Sequence, residues 1–133
     1  MIELSNVSFR YEGAETNVLT GISLTIKSGE CVVLTGASGC GKTTITRLIN
    51  GLIPHFYTGE VHGTVAIDGV DCFSLEPHKL AEKVGSVFQN PRTQFFNTDT
   101  DSEIVFGMEN CAVPYEEMHR RYEWTVKELN LDS

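Results

Sequence analysis

The chain has 133 residues, a formal net charge of −8 and hydrophobic side chains at 41% of its positions. This length and composition predict one globular domain, and the acidic balance argues against a nucleic-acid partner, which requires a basic surface. No apolar run approaches the roughly 18–20 residues of a membrane-spanning helix, and the N-terminus lacks the pattern of a signal peptide. The four cysteines show no C-x-x-C spacing, so we expect reduced thiols rather than a metal site.

Short apolar runs predict the strands in the first half of the chain. Residues 2–10, 18–26 and 63–69 alternate between apolar and polar side chains, and we expect these half-buried strands to form one antiparallel sheet. Residues 31–35 are continuously apolar, and this pattern predicts a strand buried on both faces. Residues 54–62 predict a loop, and its two histidines have too few neighbouring ligands to indicate a metal site.

The most informative motif is G-x-x-x-x-G-K-T at residues 36–43, which lies between the apolar run and a helical pattern that begins at Ile45. A strand, a glycine-rich loop and a helix in this order are the context of a phosphate-binding loop. Glycines let successive backbone N–H groups point at one anion, and the helix N-terminus adds unpaired N–H groups. The lysine brings a full charge to the β- and γ-phosphates, and the next hydroxyl is placed to ligate Mg²⁺.

This motif predicts a site for Mg²⁺ and ATP, the alternative being an ordinary glycine-rich turn before a helix. Lys42 is predicted to act in catalysis and Thr43 to ligate the metal. The predicted ATP-binding residues are Gly36, Ser38, Gly39, Cys40, Gly41, Lys42, Thr43 and Thr44.

Three residues outside the fixed positions of the motif allow two interpretations each. Tyr11 follows the first predicted strand, where its ring is placed either to stack on adenine or to pack in the core or on the surface. Cys40 is either a reactive thiol within the loop or a small residue that the loop tolerates. Asp68 ends an apolar strand, as a Mg²⁺-binding aspartate does in many nucleotide hydrolases, but the glycine after it favours a turn.

The second half of the chain predicts three helices and one more strand. Ser74 is predicted to cap a helix that extends to Lys83, and residues 84–88 form a second compact apolar run that predicts a strand. The stretch 100–103 has the form of a capping box, whose carboxylates offset the helix dipole more simply than they bind a metal. An amphipathic helix follows Pro114, and its apolar stripe is Tyr115, Met118, Tyr122, Val126 and Leu129.

Several of these segments together resemble a known family. Tyr11, the loop at residues 36–44 and the run Val87-Phe88-Gln89-Asn90-Pro91 resemble the N-terminal part of an ATP-binding cassette (ABC) ATPase. Within that family the chain is similar to the cassettes of energy-coupling-factor transporters and their cobalt and nickel relatives, which import vitamins and metal ions. The finer similarity is carried by residues 50–55, 89–96 and 106–110.

The resemblance implies a fold of the α/β class. It comprises a P-loop NTPase (RecA-like) core with a flanking antiparallel β-subdomain over residues 1–94, and the start of the ABC helical subdomain over residues 95–133. The family's signature loop, its Asp-Glu strand and its switch histidine do not occur in these residues. We therefore expect a truncated domain, the N-terminal portion of one ABC nucleotide-binding domain, which binds ATP but does not hydrolyse it alone.

The resemblance also implies roles and partners. Tyr11 would stack on adenine, and Gln89 would complete the Mg²⁺ shell and report the γ-phosphate to a membrane partner as a catalytic residue. Residues of about 90–110 would face that integral membrane transporter subunit, with Phe95 and Phe96 as interface anchors or as buried packing. A second ABC ATPase cassette would complete the site, at the cytoplasmic face of the membrane.

The full-length protein would then be the ATP-hydrolysing subunit of a membrane importer for a vitamin or a metal ion. A soluble ABC ATPase without a membrane partner and a regulatory module that binds ATP without hydrolysis are the alternatives. The transported substrate cannot be read from a cassette, which does not touch it.

Overall fold

A computed structural model describes residues 1–131, apart from the side chain of Pro91, and the chain forms two compact units. Unit 1 is Met1–Ser86 and unit 2 begins at Val87. Among the described residues, no helix is long and apolar enough to cross a bilayer.

Unit 1 is built on a four-stranded antiparallel sheet with the strand order β2-β1-β3-β4. The strands are β1 Ile2–Tyr11, β2 Leu19–Ile26, β3 Gly59–Ile67 and β4 Val70–Asp71. The central strand β1 pairs Leu4 with Leu24 on one side and with Val65 on the other. The antiparallel sheet predicted from the alternating patterns is therefore confirmed.

A register shift interrupts the pairing of β1 with β3 between Ser5 and Ser8. Gly63 lies opposite this irregularity with φ +87°, and a Cβ at Gly63 would be 2.5 Å from the backbone oxygens of Ser5 and Asn6. The backbones approach so closely here that only glycine fits.

Three helices pack on this sheet: α1 Lys42–Ile49, α2 Leu52–His55 and α3 Pro77–Ala81, with a 3₁₀ turn at Cys72–Ser74. In the core, at least one apolar side chain from each helix packs against the inward-facing side chains of the strands. Its ten buried members are Leu4, Val7, Phe9, Leu19, Leu48, Ile53, Val65, Ile67, Cys72 and Leu80.

Unit 2 contains the 3₁₀ turn Pro91–Thr93 and two longer helices, α4 Thr100–Asn110 and α5 Tyr115–Glu128. The amphipathic helix predicted after Pro114 is confirmed. The N-cap of α4 lies one residue before the position that the capping box predicts. Asp99 rather than Thr100 is the N-cap, and its side chain accepts from the Ser102 N–H at 2.8 Å. Glu103 instead accepts from the backbone N–H groups of Phe96 and Asn97.

The two strands predicted from continuous apolar runs are wrong. Residues 31–35 and 84–88 have no ladder partner within the described part of the chain. Val33 is 77% exposed and Val87 is 91% exposed, whereas the pattern predicts burial on both faces. A parallel strand of that kind needs neighbours on both sides, and the four strands that the structure describes pair only with one another.

Three element boundaries also differ from the predictions. Helix α2 ends at His55, so residues 54–55 are helix rather than loop. Strand β3 begins at Gly59, so residues 59–62 are strand rather than loop, since they pair with the end of β1. Ser74 ends the 3₁₀ turn and does not cap a helix. Helix α3 begins only at Pro77, because proline suits the first position of a helix, where its missing N–H leaves no bond unmade.

Candidate functional site

The predicted phosphate loop runs into α1 through Gly41, which is the N-cap of that helix with φ +96°. A Cβ at Gly41 would lie 2.6 Å from the Leu19 Cδ2 and 3.2 Å from the Val18 carbonyl oxygen. Both the positive φ and the close packing favour glycine at this position. The helical end of the loop is thus seated against the beginning of β2.

Helix α1 begins without a protein anion. Gly41 offers no side-chain cap, and no acidic residue lies in the first turn. Ile45 N–H is bonded to the Gly41 carbonyl at 3.0 Å, but the N–H groups of Lys42, Thr43 and Thr44 have no acceptor among residues 1–131. Unpaired N–H groups and the positive end of the helix dipole therefore converge at the loop.

Helix α4 begins differently, with acidic side chains of its own at the N-terminus. Its N-cap is a carboxylate, that of Asp99, and Asp101 and Glu103 lie in its first turn. The hydrogen bond from the Ser102 N–H holds the pKa of Asp99 below its usual value. In α4 the chain supplies its own negative charge, and in α1 it does not.

The side chain of Lys42 turns back over the loop. Its ammonium donates to the carbonyl oxygens of Gly36 at 2.9 Å and Ala37 at 2.7 Å, and lies 3.5 Å from the Cys40 sulfur. Gly36 has φ +145°, and a Cβ there would be 2.8 Å from that sulfur. The loop therefore folds around a cation that has no carboxylate partner among the described residues.

These residues fit a phosphate group chemically. Three unpaired amides, a helix N-terminus and an ammonium form a donor set without a competing anion, as phosphate oxygens require. Ser38 and Thr43 are exposed within the same segment, so their hydroxyls are accessible to a ligand. Gly39 has φ +81° and open space around it.

Tyr11 is brought to the first turn of α1 from the end of β1. Its phenol oxygen lies 3.1 Å from Oγ1 of Thr44 and accepts from Nη1 of Arg47 at 3.0 Å. Its ring meets that of Phe9 edge to face, with the centroids 4.7 Å apart. Thr44 is only 4% exposed, so this predicted ATP-binding residue presents its side chain to Tyr11 rather than to solvent.

Sequence reasoning missed Arg47 and Tyr57. The Cζ atom of Arg47 lies 3.9 Å above the centre of the Tyr57 ring, and that ring is 6.5 Å from the ring of Tyr11. The available signal was the spacing of Thr44 and Arg47, since residues three apart share one face of a helix.

A cleft of about 520 Å³ adjoins Tyr11 at the end of β1 and the start of β3. Its lining comes from residues 10–14 and 58–60, and Arg10 forms an ion pair with Glu60 at 2.7 Å beside it. The loop itself is not part of this lining. Tyr11 connects the two, because it lines the cleft and contacts α1.

The other candidates lie elsewhere. Asp68 is in the turn between β3 and β4 and accepts from the Met1 amino group, which holds the pKa of the carboxyl below its usual value. The interpretation of Asp68 as a turn residue is confirmed.

Gln89 belongs to unit 2, and its roles in catalysis and metal binding stay predictions. Among residues 1–131, no cluster of three His, Cys, Asp or Glu side chains is arranged to hold a metal ion.

A family model described as "ABC transporter" matches residues 19–133. The chain belongs to the ABC transporter family. This membership, together with the sheet and helices described above, confirms the α/β fold of a P-loop NTPase.

Curated relatives of this ABC chain carry the name "Putative ABC transporter ATP-binding protein". One from Treponema denticola is 56% identical over 133 residues, which are 100% of this chain and 27% of that protein. A second from the same organism is 43% identical over 99% of this chain and 27% of its own length. One from Pyrococcus horikoshii is 42% identical over 98% of this chain and 46% of its own length. The chain therefore spans between about a quarter and a half of these relatives.

Proposed function

We propose that residues 1–133 are the N-terminal portion of a nucleotide-binding domain in the ATPase subunit of a membrane importer. The importer is of the energy-coupling-factor or cobalt type and takes up a vitamin or a metal ion. The open N-terminus of α1, with Lys42 folded over the loop before it, is the observation that carries the nucleotide part of this proposal.

In the proposed mechanism, the chain binds and orients the triphosphate. The backbone N–H groups of Lys42, Thr43 and Thr44 donate to the phosphate oxygens. The Lys42 ammonium, which donates to the carbonyl oxygens of Gly36 and Ala37 in the free chain, donates to the β- and γ-phosphates instead. Thr43 and Gln89 are proposed to hold Mg²⁺, which supplies positive charge to the phosphates. Positioning and charge stabilisation are most of what phosphoryl-transfer catalysis consists of.

Adenine is proposed to stack on Tyr11. Tyr11 is among the residues 10–14 and 58–60 that line the cleft, and this cleft provides space for a base beside its ring. An aromatic face of this kind binds any planar base with little loss of side-chain entropy, because tyrosine has only two side-chain torsions.

The proposed transporter partner docks on residues 90–110. Phe95 is 63% exposed and Phe96 is 76% exposed, which disfavours buried packing for both within the described residues. The Phe96 ring stacks on that of Phe106 with the centroids 5.1 Å apart, so α4 supports it from behind. Exposed aromatic residues on a helical support are typical anchors of protein interfaces. Location at the cytoplasmic face of the membrane, a second cassette, and hydrolysis only by the complete protein follow from the same proposal.

Titration of the 133-residue chain with Mg·ATP by calorimetry tests the nucleotide site. Lys42→Ala is expected to weaken binding by about 10- to 100-fold, because it removes charge-assisted hydrogen bonds to phosphate. Lys27→Ala removes the same charge after the end of β2 and serves as the matched control. Undiminished binding in a folded Lys42→Ala variant contradicts the proposal.

Two further measurements test the rest. Turnover of ATP by the 133-residue chain that disappears in Lys42→Ala would contradict the expectation that this portion does not hydrolyse ATP. Co-purification of the full-length protein with an integral membrane protein, weakened by Phe95→Ser and Phe96→Ser, would favour the importer over a soluble ABC ATPase.

A further inference from the structure

We propose that Arg47 is a positioning residue for the nucleobase, which fixes the ring of Tyr11 in the orientation that stacks on adenine. This inference rests on the proposed function, in which Tyr11 is the stacking residue. Arg47 itself touches neither the phosphates nor the base in this proposal, and it acts through Tyr11.

Arg47 contacts two aromatic residues from one position on α1. Its Nη1 donates to the Tyr11 phenol oxygen at 3.0 Å, and its Cζ lies 3.9 Å from the centre of the Tyr57 ring. No carboxylate pairs with Arg47 anywhere in the described part of the chain. The guanidinium is therefore committed to the aromatic pair and not to an ion pair.

The contact with Arg47 also orients the hydroxyl of Tyr11. A guanidinium can only donate, so the phenol oxygen must accept from Arg47, and its own proton is then available to Oγ1 of Thr44 at 3.1 Å. Both partners of the hydroxyl lie on α1, three residues apart. The hydroxyl end of Tyr11 is thus tied to the helix whose N-terminus forms the phosphate site.

The rest of the ring is held by aromatic contacts. Phe9, with no exposed surface, meets it edge to face at an interplanar angle of 82°, and Tyr57 does so at 79°. With its ring against Phe9 and its hydroxyl bonded to α1, Tyr11 is restrained before any base arrives. Such preorganisation raises affinity because less freedom is lost on binding.

Arginine suits this position better than lysine. The Cζ atom of its guanidinium lies over the Tyr57 ring while one N–H donates to Tyr11, whereas an ammonium is a compact charge without a planar face. A substitution by lysine should therefore restore the hydrogen bond only in part.

The test compares two ligands on the full chain by calorimetry, Mg·ATP and Mg·tripolyphosphate. The second ligand has the phosphates without the base, so the ratio of the two dissociation constants isolates binding of the base. Arg47→Met is expected to weaken ATP binding by about 3- to 10-fold relative to tripolyphosphate, as the loss of one hydrogen bond predicts. Arg47→Lys should give an intermediate ratio, and the charge control Lys27→Met should leave the ratio unchanged.

A second variant perturbs the same contact from the other side. Tyr11→Phe keeps the ring but removes the oxygen that accepts from Arg47, and it should shift the ratio by a similar factor. Combined with Arg47→Met it should shift the ratio by less than the two single shifts together, because the hydrogen bond between Arg47 and Tyr11 is lost in both variants. This non-additive result is not expected of a residue that only stabilises the fold. If Arg47→Met does not fold, Tyr11→Phe is compared with Thr44→Val, which removes only the other hydrogen bond of the phenol, and a larger shift of the ratio in Tyr11→Phe is then expected.

The outcomes separate this inference from the proposed function. Equal weakening of both ligands by Arg47→Met, or an unchanged ratio in folded Tyr11→Phe, overturns the positioning role of Arg47. An unchanged ratio in Tyr11→Ala overturns adenine stacking on Tyr11 itself, and the inference with it. A shifted ratio in Tyr11→Ala with an unchanged ratio in Arg47→Met supports adenine stacking on Tyr11 and overturns only the positioning role of Arg47.

Discussion

The phenol oxygen of Tyr11 lies 3.1 Å from Oγ1 of Thr44, a residue 33 positions later that is buried in the first turn of α1. This hydrogen bond joins the central strand of the sheet to the helix that follows the phosphate loop. It links the fold of unit 1 directly to the geometry of its candidate site.

Thr44→Val should lower the free energy of unfolding by about 1 kcal/mol, because the shape is kept while the hydroxyl partner of Tyr11 is lost. Urea denaturation followed by circular dichroism measures the change. Thr44→Ser retains the hydroxyl and should lose less than Thr44→Val. A Thr44→Val variant as stable as the original chain would show that the bond contributes nothing.

Gly63 and Gly69 provide a matched pair for the sheet. Both have positive φ, but a Cβ at Gly63 would be 2.5 Å from the oxygens of Ser5 and Asn6, and a Cβ at Gly69 would meet nothing within 4 Å. Gly69→Ala should cost about 1–2 kcal/mol for the left-handed backbone alone. Gly63→Ala should cost clearly more, because β1 must move. Equal losses in thermal denaturation would mean that the register shift absorbs the methyl group.

Helix α5 should lose stability in acid through Glu117. The guanidinium groups of Arg120 and Arg121 hydrogen-bond to its carboxylate and lower its pKa from 4.5 to about 2. Because the folded pKa is the lower one, the contribution is complete above about pH 4.5 and is lost as the pH falls towards 2. An acid titration of helix content should show this transition weakened in Glu117→Gln. The neighbouring Glu116→Gln is the control, and an identical effect of both variants would contradict the assignment.

Cys72 should resist alkylation in the folded chain. It is 1% exposed, and burial, followed by the charge of Asp71, raises the pKa of its thiol to about 11. The other three cysteines, Cys31, Cys40 and Cys111, are exposed. Iodoacetamide at neutral pH should modify those three quickly and Cys72 only after unfolding, as mass spectrometry of the peptides would report. Equal rates for all four thiols in the native chain would refute the burial of Cys72.

Local patterns predicted the local structure well. The alternation through Val7 and Phe9 predicted β1, the stripe along α5 predicted that helix, and the spacing of Gly36 and Lys42 predicted the loop before α1. Each depends on residues close in the sequence, where backbone geometry sets the period.

Two of the failures have a common physical origin, because they depend on partners elsewhere in the chain. The apolar run at 31–35 indicates a preference for burial, but burial requires neighbouring strands that the run itself does not specify. Val33 is accordingly exposed. Similarly, nothing in the sequence near Arg47 indicates that the ring of Tyr57, which follows α2, would contact it. The start of α3 was misplaced for a more local reason, since Pro77 outweighed the capping preference of Ser74.

The phosphate loop is held firmly at one end. Gly41 is wedged against Val18 and Leu19, while the segment that enters the loop at residues 31–35 makes no ladder contact within the described chain. The position of the first residue before α1 therefore depends on Val18 and on Leu19, the first residue of β2. We expect substitutions at Leu19 to change nucleotide affinity while every residue of the glycine-lysine motif stays the same.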